Sequence, residues 1–332
     1  MKLHELGEFG LINRLRRYAV VDPDQVVVGV GDDAAVLRAP SSKLMLLTTD
    51  TLIEHADFEL DFCDFFSLGW KALAINLSDV AAMGGIPRAA VINLFLPPTL
   101  EVEDVDKIYQ GLQSIAEEYH LSLVGGDMTF SQQLGISIAV TGETCSERYV
   151  LRSGACVGDV IAVTGDLGAA AVGLRILQSG VETTEKWEVY PVVRFWRPQP
   201  RLHQAQVLQQ KLSLHSLIDV SDGLASDMLK LCQASNVGCQ LEVGKLPFHP
   251  HTDYWAGKLG IALEEVMLQG GEDFELLFTF PADEQKILAD LNISVTVIGK
   301  IIPPQQGCWQ VYKDGKKISL ENRGYDHFRA QS

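Results

Sequence analysis

Acidic side chains recur in one local pattern: an apolar run, then small or hydroxyl residues, then a carboxylate. The instances are VVVGVGDD (Asp32, Asp33), LMLLTTDT (Asp50), LSLVGGD (Asp127), LIDVSDG (Asp219, Asp222) and MLQGGED (Glu272, Asp273). A sixth acid, Asp79 in AINLSDVAAMGG, lies in a stretch of helical spacing and is flanked by small residues. Any single instance reads as a turn residue or a helix cap. Taken together, with Lys and Arg scarce beside them, the six also suit a set of oxygen ligands for a hard divalent cation. Two unit charges ~4 Å apart repel by about 1 kcal/mol in water and about 4 kcal/mol at an effective dielectric near 20. A cation among the acids removes that repulsion, and Thr48 and Thr49 add hydroxyl oxygens of the kind magnesium accepts. Gly125-Gly126 and Gly270-Gly271 permit a close backbone approach to a phosphate, and equally mark ordinary turns.

Other chemistries lack their residues. No G-x-x-x-x-G-K-[ST] loop occurs, the pairing of H-R-D with D-F-G is absent, and Ser221 is not framed by G-x-S-x-G. His249 and His251 in PFHPHTD read better as part of a Pro-rich loop than as metal ligands. The six cysteines (Cys63, Cys145, Cys156, Cys232, Cys239, Cys308) form no C-x-x-C pair, which points to structural thiols in a reducing compartment. Lys plus Arg minus Asp plus Glu is 27 − 43 = −16. That balance argues against a nucleic-acid backbone as partner. The N-terminus has no long apolar core of a secretory signal, and no run approaches the roughly 18 apolar residues of a membrane helix. The expectation is a soluble, cytoplasmic protein with no membrane partner.

The elements that position these acids follow from periodicity. Residues 26–30 and 44–49 read as buried strands, and Phe65 to Met83 as a helix with Leu73, Leu77 and Val80 at helical spacing. AAVINLFL, LSLVGG and GISIAVTG read as strands around a helix over 102–120. The pattern restarts near residue 145 with the strand GDVIAVTG and the helix DLGAAAVGLRILQSG, for which Asp166 offers a cap and Gly180 a stop. A helix around SDMLKLCQASN and strands at CQLEV, FELLFTF and VTVIGKI follow. A chain of 332 residues favours two domains, with a boundary near 144–152 dividing 1–145 from 146–332. Strands and helices mixed in this order give an α/β (α+β) class.

The stretches GVGDDAAVL, TTDTL, KALAINLSDVAAMGGIP, LVGGDMT, LRSGACVGD, DVSDGLASD, GGEDFELLF and GYDHF together resemble the thiamine-monophosphate kinase family, in order, from about residue 5 to 328. The resemblance implies a two-domain fold of the aminoimidazole ribonucleotide synthetase kind, in a homodimer whose N-terminal sheets pair. It implies transfer of the γ-phosphoryl of ATP to thiamine phosphate, with several magnesium ions. The family's metal ligands then fall on Asp33, Thr48 or Thr49, Asp50, Asp79, Asp127, Asp219 and Asp222, of which Asp33, Asp50 and Asp222 would be catalytic. Nucleotide contacts fall on Gly126, Asp127, Arg152 and Ser221, with Tyr109 either a partner for adenine or a core residue. Thiamine-side contacts fall on Glu272 and Tyr325, each with a plain packing or capping alternative. In DTLIEHADF the family's usual histidine before phenylalanine is replaced by Asp57, with His55 two residues earlier. Either could meet the substrate.

Overall fold

The computed structural model describes residues 14–18, 22–28, 36–37, 43–145, 149–181 and 189–321. The chain folds into two compact units, Met1–Val80 with Gly85–Glu147 and Ala81–Gly84 with Arg148–Ser332.

In the first unit a short antiparallel pair, β1 (Val26–Val28) and β2 (Val36–Leu37), accompanies a four-stranded sheet. That sheet comprises β3 (Lys43–Ile53), β4 (Ile86–Leu96), β5 (Ser122–Phe130) and β6 (Gly135–Cys145), ordered β3-β6-β4-β5. The β4/β5 pair is parallel and the other two pairs are antiparallel. A parallel pair needs a crossover, here supplied by α2 (Val102–Glu118), which buries Val102, Val105, Ile108, Leu112 and Ile115 at helical spacing. α1 (Phe65–Ala82) buries Leu68, Leu73, Leu77 and Val80 in the same way. On β3 the side chains alternate: Met45, Leu47, Thr49 and Thr51 are exposed, whereas Leu46, Thr48, Asp50 and Leu52 are partly or fully covered.

The second unit holds a seven-stranded sheet ordered β13-β12-β9-β11-β7-β10-β8. Its strands are β7 (Val160–Thr164), β8 (Ser216–Asp219), β9 (Gly238–Glu242), β10 (Leu276–Phe280), β11 (Val295–Ile302), β12 (Cys308–Val311) and β13 (Lys317–Ser319). Every residue of β7 and β10 is buried, as expected for central strands covered on both faces. Helices α3 (Ala169–Gln178), α4 (Tyr190–Trp196), α5 (Leu202–Lys211), α6 (Leu224–Ser235), α7 (Pro250–Leu259) and α8 (Leu263–Gln269) complete the unit. Among the described residues no helix is long and apolar enough to cross a membrane.

Three local expectations are corrected. PFHPHTD is a loop only as far as His249: Pro250 opens α7 at its first turn, where a missing N–H costs nothing, and the His249 ring accepts from His251 N at 3.2 Å. Asp166 does not cap α3. It accepts from the Tyr190 hydroxyl at 2.5 Å, while Asp273 takes the cap by accepting from Gly168 N at 2.8 Å. Finally, Asp50 and Asp127 do not stand at strand ends, because β3 and β5 run on past them to Ile53 and Phe130.

Candidate active site

In the first unit the alternation of β3 puts the two threonines on opposite faces of the sheet. Thr48 and Asp50 share the face turned to α1, where Asp79 sits one turn from Asn76. The Thr48 hydroxyl donates to Asp79 at 2.5 Å, and the Asn76 side-chain oxygen accepts from Asp50 N at 3.1 Å. Burial first, then the charge of Asp79 and a hydrogen bond to it, push the Asp50 carboxyl up to about 7. Two carboxyls that share a proton in this way form a pair held together against its own repulsion.

Thr49 lies on the opposite face. So does Asp127: it is opposite Asn93 on β4, which is opposite Ser137 on β6, which is opposite Thr51 on β3, forming one polar row across all four strands. The Thr51 hydroxyl donates to Ser137 at 2.8 Å within that row. The structure therefore brings Thr48, Asp50 and Asp79 together and leaves Thr49 and Asp127 on the other side of the sheet. Gly126 is required by its own neighbour, since a Cβ there would lie 1.7 Å from the Ile92 carbonyl oxygen. Tyr109 sits half-buried on α2 with its ring 6.1 Å from that of Tyr18. Asp57 accepts from Ile53 N at 2.7 Å and closes the turn after β3, while the exposed His55 ring is 2.7 Å from Glu59. Asp32 and Asp33 lie outside the described residues.

In the second unit β8 ends on the buried Asp219, and the chain turns through Val220, Ser221 and Asp222 into α6. Asp227, fully buried on the first turns of α6, accepts from both Ser221 N (3.0 Å) and Asp222 N (3.1 Å). Burial raises the Asp227 carboxyl above its ordinary range, and the adjacent Lys230 opposes that shift. Lys230 also pairs with Asp222, so Asp222 carries a basic partner eight residues downstream that its sequence neighbourhood does not display. The Glu272 loop closes on this turn: Glu272 N donates to Ser221 O at 2.7 Å, and a Cβ on Gly271 would lie 2.5 Å from that same oxygen. Glu272 itself takes a left-handed φ of 66°. Ser221, Asp222 and Glu272 are thus brought together. Arg152 is exposed, and its carbonyl accepts from the Ser235 hydroxyl at 3.4 Å. Tyr325 lies outside the described residues.

Beneath these loops lies a buried polar layer that sequence reasoning missed. Glu275 accepts from Arg194 (2.8 Å), Arg201 (2.7 Å) and the Thr164 hydroxyl (2.6 Å). Asp273, with burial the largest cause, is pushed up to about 8. Only the density of acids in GGEDFEL hinted at this layer. Its arginines lie some 75 to 80 residues earlier in the chain, with no motif to connect them.

The group at Thr48, Asp50 and Asp79 is all oxygen and includes a carboxyl pushed up to about 7 by burial and then by its neighbour. That donor chemistry fits a hard divalent cation such as magnesium, which would replace the shared proton.

Residues 31–144 match the family model for AIR synthase related protein, N-terminal domain, and residues 157–308 match that for the C-terminal domain. A thiamine-monophosphate kinase of Aquifex aeolicus is 38% identical, the match covering 99% of this chain and 100% of that protein. The crystal structure of thiamine-monophosphate kinase from Stenotrophomonas maltophilia K279a superposes with a TM-score of 0.82 at 32% identity, covering 94% of this chain and 98% of that one. The structure of AaThiL complexed with AMPPCP and TMP gives a TM-score of 0.78 at 36% identity over 99% of each chain. Likeness of this degree runs through both units, and the chain belongs to the thiamine-monophosphate kinases of the AIR synthase related family.

Proposed function

We propose that this protein transfers the γ-phosphoryl group of ATP to thiamine phosphate, releasing thiamine diphosphate and ADP. The observation that carries the reading is the near-complete match to thiamine-monophosphate kinases, one of them solved with an ATP analogue and TMP. The acceptor is itself a phosphate, whose second pKa near 6 leaves it mostly ionised at pH 7. No general base is required, which agrees with an acid-rich set of motifs.

Several magnesium ions would serve the reaction, and Asp50 and Asp79 with Thr48, and Asp33, Thr49, Asp127, Asp219 and Asp222, are the residues that would hold them. When bound, magnesium would supply the positive charge that offsets the two polyanions and the transferred phosphoryl group. Thr48 orients Asp79 by its hydrogen bond, and Asn76 fixes the backbone of Asp50. Asp33, Asp50 and Asp222 are the residues on which turnover depends most. On the second unit the Ser221 and Asp222 amides are occupied by Asp227, so that turn offers the nucleotide side chains rather than a backbone cradle. Gly126, Asp127 and Arg152 complete the nucleotide contacts, with Tyr109 toward the base. Asp57, Glu272 and Tyr325 serve thiamine phosphate.

The protein works as a cytoplasmic homodimer paired through the first unit's sheet, without nucleic-acid or membrane partners. Met45 and Leu47, each more than 70% exposed on one face of β3, supply apolar surface that such pairing would cover. The reading is tested by coupled ADP release with thiamine phosphate or free thiamine as acceptor. Release is expected with the phosphate ester alone; release with thiamine alone would overturn the acceptor assignment.

A further inference from the structure

Three cysteines far apart in the chain meet in the second unit. Cys232 lies near the end of α6, Cys239 on β9 and Cys308 on β12, with their sulfur atoms all within 4.8 Å of one another. The parallel pairing of β9 and β12 sets Cys239 directly opposite Cys308. Cys239 is fully buried and Cys232 nearly so, while Cys308 is half-buried toward the edge hairpin of β12 and the exposed β13. We propose that Cys232, Cys239 and Cys308 form a trithiolate site for a soft monovalent cation, Cu(I), outside the phosphoryl-transfer machinery.

The donor set argues for that chemistry. Soft sulfur ligands select Cu(I) and zinc over magnesium, and zinc in structural sites takes four ligands. Among the described residues no His, Asp, Glu or fourth Cys joins the group, and three sulfurs suit the low coordination numbers Cu(I) accepts. Metal–sulfur bonds near 2.3 Å place three trigonal sulfurs ~4 Å apart, inside the observed limit. Cu(I) would replace the thiol protons, which leave to solvent, so binding weakens as pH falls. A bound ion would tie β12, the neighbour of the edge strand β13, to β9 and α6.

The test uses the whole chain, purified reduced and without oxygen. Cu(I) is titrated against a chromophoric Cu(I) chelator and, separately, Zn(II) against a zinc chelator. One equivalent of Cu(I) is expected, held more tightly than zinc, with sulfur-to-copper charge-transfer absorption in the near ultraviolet. Cys308→Ser and Cys232→Ala should each weaken Cu(I) binding more than about 100-fold, beyond the loss typical of an outer-shell change. Cys156→Ser should leave it unchanged, and melting curves check that each variant folds. Retention of no Cu(I), wild-type affinity in both cluster variants, or tighter zinc binding would overturn the proposal. So would a Cys239–Cys308 disulfide found by peptide mass spectrometry in place of the metal-binding thiols.

Discussion

Asp50 carries the sharpest consequence at the scale of single residues. Its carboxyl is held at about 7 against an ordinary value of 3.8. For an acid raised on folding, the contribution to stability is complete below pH ~4 and is lost as pH rises through 7. Without magnesium, the protein should therefore lose stability between about pH 4 and 7, and Asp50→Asn should flatten part of that slope. Added magnesium should stabilise the wild type more at pH 8 than at pH 5, as read by urea denaturation at each pH. Equal stabilisation at both values would remove the cation from this pair. For turnover, Asp50→Asn and Asp222→Asn should each cost at least about 100-fold, the scale on which lost electrostatic stabilisation acts, with circular dichroism unchanged. Near-normal turnover in both would contradict their roles. The sequence named Asp50 and Asp79 by type. It could not separate Thr48 from Thr49, because facing is set by the register of β3 against β6.

Elements explain why the acid motifs serve two ends. The GGEDFEL stretch divides its labour: Glu272 faces the Ser221 turn, Asp273 caps α3, and Glu275 anchors Arg194 and Arg201. Glu275→Ala would leave two largely buried guanidinium groups without their carboxylate. The expected cost is about 3–5 kcal/mol, measured from the urea midpoint and slope. Glu275→Gln, which keeps the shape and loses the charge, should recover only part of it. Long, periodic elements such as α1, α2 and β4 were legible from spacing alone. The short helices α4 and α8 were not, since seven residues carry too little periodicity, and α7 was hidden by prolines that read as loop. The α3 cap was missed for another reason. Asp166 is adjacent and Asp273 is a hundred residues away, and only tertiary structure brings the distant one in.

At the scale of the whole molecule, each unit carries its own acidic group, Thr48, Asp50 and Asp79 in the first and Asp222 with Asp227 in the second, each positioned by that unit's own sheet. The first unit also leaves Met45 and Leu47 open on an edge strand. Leu47→Asp, alone or with Met45→Lys, should shift the sedimentation mass from two chains to one; a wild-type monomer would contradict the proposed pairing. Family membership was readable from the ordered motifs, because phosphoryl chemistry constrains residue types across the full length. What those motifs could not convey was which acids meet within a unit. The reaction itself is tested most directly with ATP labelled in its γ-phosphoryl group, incubated with thiamine phosphate and magnesium. The label should appear in the terminal phosphoryl of thiamine diphosphate, with ADP formed in equal amount. Label found only in inorganic phosphate, or AMP as the nucleotide product, would contradict direct γ-phosphoryl transfer.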